Sequence, residues 1–415
     1  MVVSVIVSTE REIFMTFKQN RAIPRYISVH GVFILLFLLT VSLSGCDLIQ
    51  QLVPPDEPSD GAAPVKIGFI YSPPDPGTTR NGAELAVALA NEAGGINGVP
   101  IELLIMDDKR DASIGVQHAK ELIDAGVLAI VGPDYSVIAV EVGAIAQQYG
   151  IPMVTTYPTN PNVTRNGNFS FMGAFIDPYQ ANVMANFAIQ KLDATTAAIL
   201  TETGNSYSEG LSNTFIEQFT ALGGTIAAQQ FYEADATDFT EQLTAIVAVN
   251  PPVDVIFLPG LGPEFPLAVK QAKSPAFGMT ATFLGGDGWD RPDLVEIGGM
   301  ALEGSFFANH FSPGEPPEGL SEAARQFIVA YTTRFGIAPD GPASLGYDSA
   351  TIIIEAMRRS ADLTPVAIRD QIEATQNYSG ATVLSYFDEN RHAIKSLVVN
   401  TVKDGKIQFH QLLLP

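Results

Sequence analysis

From Val65 onward, short apolar runs alternate with stretches whose apolar residues recur every three or four positions, which predicts strands joined by amphipathic helices. Val65–Tyr71 reads as the first strand. The helix after it, Asn81–Ala93, places Leu85, Leu89 and Ala93 on one face and is stopped by Gly94-Gly95. Then follow strand Ile101–Met106, helix Ser113–Ala125, strand Leu128–Val131, helix Val137–Tyr149 and strand Pro152–Thr155. A second series begins after Phe169–Met172 with a helix start at Asp177-Pro178. It continues through strand Ala197–Leu200, helix Tyr207–Leu222, strand Thr225–Phe231, helix Phe239–Val249, strand Val253–Leu258, helix Phe265–Ala272 and strand Ala281–Leu284. Helices Glu322–Phe335, Ala343–Ser360 and Pro365–Thr375 come next, then strands of antiparallel character at Ala381–Phe387, Ser396–Val402 and Ile407–Leu413. This order predicts an α/β fold with mainly parallel sheets in two similar lobes.

In open α/β sheets, ligands bind beyond the carboxyl ends of the strands. That rule selects Ser72–Thr79, Asp107-Asp108, Pro133–Ser136 and Thr155–Thr159 from the first series, and Thr201–Tyr207, Pro259–Pro263 and Gly285–Trp289 from the second. At Ile130-Val131-Gly132-Pro133-Asp134-Tyr135-Ser136 a buried strand runs through a loop into a helix, whose first N–H groups and the Ser136 hydroxyl make an anion seat. Tyr157 and Thr159 add hydroxyls after the next strand. Ser136 also fits a helix cap and Thr159 a local turn. Asp287, after a glycine pair, can meet an ammonium group or simply close a turn. Tyr207 and Trp289 can wall a pocket or fill a core, and Leu261 is an apolar residue on a facing loop.

Composition narrows the choice. At 415 residues the chain exceeds one ordinary core. With 45 acidic against 23 basic residues, net charge −22, it lacks the basic face of a nucleic-acid binder. Catalytic motifs are missing: Gly260-Leu261-Gly262 begins a dinucleotide fingerprint but Phe265 replaces the third glycine, and there is no Gly-x-Ser-x-Gly, His-Glu-x-x-His or P-loop. No metal-ligand spacing links His30, His118, His310, His392 and His410. Asp107-Asp108 and Asp287/Asp290 suit a hard cation or, more simply, solvated turns. We therefore expect a binding protein without enzymatic activity, cofactor or metal.

The amino terminus adds a location. Lys18, Arg21 and Arg25 precede the apolar run Val32–Leu43, which is short for a bilayer span of about 20 residues. Leu43-Ser44-Gly45-Cys46 resembles the bacterial lipobox, which implies a signal peptide over residues 1–45 and lipidation of Cys46, the only cysteine. An uncleaved anchor is the alternative, and Met15 is a possible alternative start. Residues 46–64, rich in proline and acidic side chains, read as a flexible tether.

Several stretches together resemble the type I periplasmic binding proteins, specifically the leucine/isoleucine/valine-binding family that serves ABC importers. They are Asn81-Gly82-Ala83-Glu84-Leu85-Ala86, Asn91-Glu92-Ala93-Gly94-Gly95-Ile96-Asn97-Gly98, Asp107-Asp108, Ile130-Val131-Gly132-Pro133, Gly150-Ile151-Pro152 and Tyr207-Ser208-Glu209-Gly210. The resemblance implies two Rossmann-like lobes, 65–176 plus 311–394 and 177–310 plus 395–415, joined by three crossings near Phe175–Pro178, Ala308–Ser312 and Arg391–Ser396. It further implies hinge closure around an amino acid, of branched-chain or other uncharged type, with permease subunits and a membrane anchor as partners. By the same resemblance Ser136 and Thr159 take the α-carboxylate. Asp287 and the Tyr157 carbonyl take the ammonium, Tyr207 forms a wall, and Tyr347 reaches the cleft from the return segment. Leu261 and Tyr135 depart from residues found in relatives. A sensory subunit reporting to a receptor is the rival reading.

Overall fold

The computed structural model describes residues 63–72, 78–312 and 320–413. The signal peptide, Cys46 and nearly all of the tether expected above lie outside them.

The first series forms a parallel five-stranded sheet. Its elements are β1 (Val65–Tyr71), α1 (Thr78–Glu92), β2 (Ile101–Asp107), α2 (Ala112–Asp124), β3 (Ile130–Val131), α3 (Ser136–Tyr149), β4 (Met153–Thr155) and β5 (Ser170–Met172), in strand order β2-β1-β3-β4-β5. The inward residues of β1, Ile67 and Phe69, are fully buried, as a sheet covered by helices on both faces requires.

The second series supplies α4 (Asp177–Lys191), β6 (Thr196–Glu202), α5 (Ser206–Ala221), β7 (Thr225–Tyr232), α6 (Thr240–Val247), β8 (Val255–Phe257), α7 (Glu264–Ala272), β9 (Thr282–Gly285), α8 (Leu294–Gly298) and β10 (Phe306–Asn309). The chain then returns to the side of the first sheet as α9 (Glu322–Phe335), α10 (Gly341–Arg359), α11 (Pro365–Glu373) and a separate three-stranded antiparallel sheet of β11 (Gln376–Ser379), β12 (Val383–Phe387) and β13 (Ala393–Lys395). Finally β14 (Leu397–Lys403) and β15 (Lys406–Leu413) extend the second sheet as antiparallel strands, giving the order β15-β14-β10-β9-β8-β6-β7.

The chain thus passes between the sheets three times: after β5, after β10 and between β13 and β14. The return is welded to the first lobe where α10 crosses α1. There a Cβ on Gly346 would lie 2.0 Å from the Thr79 carbonyl oxygen, and one on Gly82 would lie 2.1 Å from that of Ala343. Arg391 adds a tie, donating to the Ser170 and Thr164 carbonyls at 3.2 and 2.9 Å.

Most expected elements stand within a few residues of their observed bounds. Strand Ala381–Phe387 shortens to β12, and β10, β11 and β13 were not expected at all. They run for 4, 4 and 3 residues, too short to show an alternation.

Gly132 sets the direction of the loop between β3 and α3. Its φ is +85°, and a Cβ there would lie 2.1 Å from the Ile70 carbonyl oxygen. Gly132→Ala is therefore expected to destabilise the protein by more than about 1 kcal/mol. Urea unfolding is the readout, and an unchanged midpoint would refute the constraint.

Candidate functional site

Three loops of the first lobe are locked together at their strand ends by one buried carboxylate. Asp134 accepts from the Ser72 N–H at 3.0 Å, from the Thr79 hydroxyl at 3.1 Å and from the Thr156 hydroxyl. This joins the segments after β1, β3 and β4. Helix α3 starts at Ser136, with Tyr135 in the N-cap position and no side-chain cap bond. Ser136 is thus the first helical residue rather than the cap. Its oxygen accepts a 3.4 Å bond from the Asn160 N–H, so its own proton is free to be donated.

A cavity of ≈ 600 Å³ opens at these strand ends. From the first lobe it is lined by Arg110, Tyr135, Ser136, Tyr157 and Thr159, and from the second by Glu202, Asn205, Tyr207, Leu261, Glu264 and Asp287, among others. Seven of the residues expected from the sequence, Tyr135, Ser136, Tyr157, Thr159, Tyr207, Leu261 and Asp287, therefore share one cavity. A direct contact spans it, since the Tyr157 hydroxyl donates to the Asp287 backbone carbonyl. A second bond between the lobes joins the Gly341 N–H at the start of α10 to the Asp290 carboxylate at 2.7 Å.

Asp287 is the electrostatic centre of the site. It is 1% exposed, and its Oδ1 accepts from Tyr207 Oη at 2.8 Å and from Gln180 Nε2 at 2.8 Å. Its Oδ2 faces His310 Nε2 at 3.0 Å. Burial pushes the His310 imidazole down to about 4, so it is neutral at physiological pH. The Nε2–H tautomer follows, because the buried Nδ1 has no hydrogen-bond partner. All three donors to Asp287 are thus uncharged, and among the described residues no lysine or arginine pairs with it. A buried carboxylate without a cation is a strong demand for one.

Two expectations need correcting. Trp289 does not wall the cavity: it is fully buried, donates from Nε1 to the Leu258 carbonyl at 2.9 Å and stacks on Phe265 at 5.0 Å. Tyr347 does not reach the cavity either, because its ring packs against Phe327 at 4.8 Å between α10 and α9. Tyr207 does more than form a wall, since its hydroxyl also accepts from the Gly288 N–H at 2.9 Å. Asp108 is occupied by the Ser72 hydroxyl at 2.7 Å, and among the described residues no three His, Cys, Asp or Glu side chains converge on a metal position.

Sequence reasoning missed Arg110, Gln180 and His310. Arg110 lies 4.9 Å above the Tyr135 ring at the cavity wall and follows an aspartate pair that drew attention to itself instead. Gln180 and His310 stand 107 and 23 residues from Asp287, in no recognisable spacing.

The sequence profile of the periplasmic binding protein family matches residues 64–406. The chain is a type I periplasmic binding protein of the branched-chain amino acid family. It is similar to the Leu/Ile/Val-binding protein BraC3 of Rhizobium johnstonii, with 30% identity over 252 residues, 60% of this chain and 67% of that one. Among solved structures it resembles the leucine binding protein LivK from Thermotoga maritima, with 34% identity and a TM-score of 0.77 over 85% of this chain and 99% of the other. It also resembles the branched-chain amino acid transporter substrate binding protein LivJ from Streptococcus pneumoniae, solved with isoleucine. There the identity is 27% and the TM-score 0.78, over 85% of this chain and 100% of that one. Family membership makes this a substrate-binding protein of ABC transporters rather than an enzyme, and implies an extracytoplasmic location, an amino-acid ligand and permease partners. No helix among the described residues is long and apolar enough to cross a membrane.

Proposed function

We propose that this binding protein, anchored to the membrane through a lipidated Cys46, captures an amino acid of branched-chain or other uncharged type and presents it to an ABC importer. The observation that carries this reading is the pairing within one cavity of a buried Asp287, served only by neutral donors, with the uncapped start of α3 at Ser136. The ammonium of a zwitterion supplies the cation that Asp287 lacks. Its carboxylate meets the Ser136 hydroxyl, the Thr159 hydroxyl and the positive end of the α3 dipole. Leu261 and the Tyr157 and Tyr207 rings lie against the ligand, while segments 65–176 plus 311–394 and 177–310 plus 395–415 close as two lobes.

Two measurements test the proposal. Mass spectrometry of the ligand that co-purifies should return an amino acid. In calorimetry against the proteinogenic L-amino acids, Ser136→Ala should weaken the tightest binder by roughly ten- to a hundredfold, the value of a hydrogen bond to a charged group. Failure of every amino acid to bind would sink the reading.

A further inference from the structure

The turn that carries Asp287 also touches the opposite lobe. Asp290 closes the short 3₁₀ turn Asp287–Trp289, with its backbone N–H on the Asp287 carbonyl at 2.9 Å. Trp289 roots that turn in the core of the second lobe, so Asp287 and Asp290 belong to one fixed piece. From it the Asp290 carboxylate reaches the start of α10, where it accepts from the Gly341 N–H at 2.7 Å.

The first N–H groups of a helix have no partners within the helix. In α10, Pro342 has no N–H to satisfy, and the Ala343 N–H donates to the Asp340 side chain at 2.9 Å. The Gly341 N–H takes its acceptor from the other lobe, at the positive end of a helix dipole that favours a carboxylate. Glycine is what admits that acceptor: a Cβ on residue 341 would lie 2.6 Å from Asp290 Oδ2 and 2.5 Å from Asn309 Oδ1. Helix α10 is in turn fixed to the first lobe, because Ala343 and Gly346 pack against α1 at separations that leave no room for a Cβ. The bond therefore joins a fixed part of one lobe to a fixed part of the other.

We propose that Asp290 is a positioning residue for amino-acid capture: by accepting from the Gly341 N–H it holds the Asp287 turn against the first lobe, and so keeps the ammonium and carboxylate ends of the site at the spacing of one zwitterion. This rests on the zwitterion reading and on closure of the lobes. Asp290 is not among the residues that line the ≈ 600 Å³ cavity, so it acts on the ligand through Asp287 rather than by touching it. A ligand enters while the lobes are apart, before this bond exists, and leaves only when they part again, which breaks it. The contribution of Asp290 therefore falls on the dissociation rate.

The test is stopped-flow binding kinetics on the purified full chain, with the tightest binder of the proteinogenic L-amino acid panel as the probe. Asp290→Ala is expected to raise koff by about ten- to a hundredfold, the factor for a hydrogen bond to a charged group, with kon little changed. Asp290→Asn keeps an oxygen for the Gly341 N–H and is expected to recover part of that loss. An unchanged koff in Asp290→Ala, or a loss of affinity carried by kon, overturns the proposal and leaves the zwitterion reading standing. A wild type that binds no amino acid overturns both. If Asp290→Ala does not fold, Gly341→Ala probes the same contact from the first lobe: its Cβ would intrude on the Asp290 oxygen, so the same rise in koff is expected, and a wild-type koff overturns the proposal.

Discussion

Asp287→Ala is expected to abolish useful amino-acid binding, weakening it by about 2–5 kcal/mol, the range for removing one partner of a buried, hydrogen-bonded charge pair. That corresponds to roughly thirtyfold to several thousandfold. The cause is specific to this pocket. Asp287 is the acceptor on which Gln180, Tyr207 and His310 converge, and it is the charge that a ligand ammonium would neutralise. Removing it deletes the attraction and strands three buried donors, so the loop after β9 loses its anchor as well. Asp287→Asn separates the two effects. It keeps an acceptor for part of the network but removes the charge, so it should fold nearly as well as wild type and still bind far more weakly. Calorimetry with the amino-acid panel, alongside urea unfolding of both variants, checks this. Wild-type affinity in Asp287→Asn would show that the ammonium is held elsewhere.

The largest stability effect is expected two residues away. Trp289→Ala should cost about 3–5 kcal/mol, the range for truncating a large buried aromatic. The indole packs against Phe265 and Phe307 with ring centroids 5.0 and 6.0 Å away, and its N–H satisfies the Leu258 carbonyl. The variant therefore combines a cavity in the second lobe with an orphaned acceptor. Urea unfolding measures the loss, and ligand affinity measured on the remaining folded protein should change little. A cost below about 1 kcal/mol, or a selective loss of affinity, would return Trp289 to the pocket wall.

These two neighbours show how far the sequence could be read. Their place, a glycine pair beyond a strand end, was legible, because strand ends in an α/β sheet converge on one cleft whatever the side chains. Which of the two faces the ligand was not. Asp287–Trp289 form a turn of 3₁₀ helix, in which successive residues rotate by about a third of a turn, so residues two apart point in different directions. The rotation gives Asp287 to the cleft and Trp289 to the core. Ser136 and Thr159 were legible for the same reason as Asp287, since each follows a predicted strand within a few residues. Tyr347 follows the return segment to its lobe but not to the cleft, because a helix packed on two others buries most of its faces. Gln180 and His310 act on Asp287 through the folded chain, and no local pattern encodes a bond between residues so distant in sequence.

The Asp134 junction bears on how binding free energy is distributed. With the segments after β1, β3 and β4 fastened to one carboxylate, Ser136 and the first amides of α3 are already where a ligand carboxylate would meet them. Docking there sacrifices little loop entropy, so each hydrogen bond formed counts almost fully toward affinity. If capture closes the two lobes as proposed, the rearrangement falls on the motion of one lobe against the other rather than on these fastened loops.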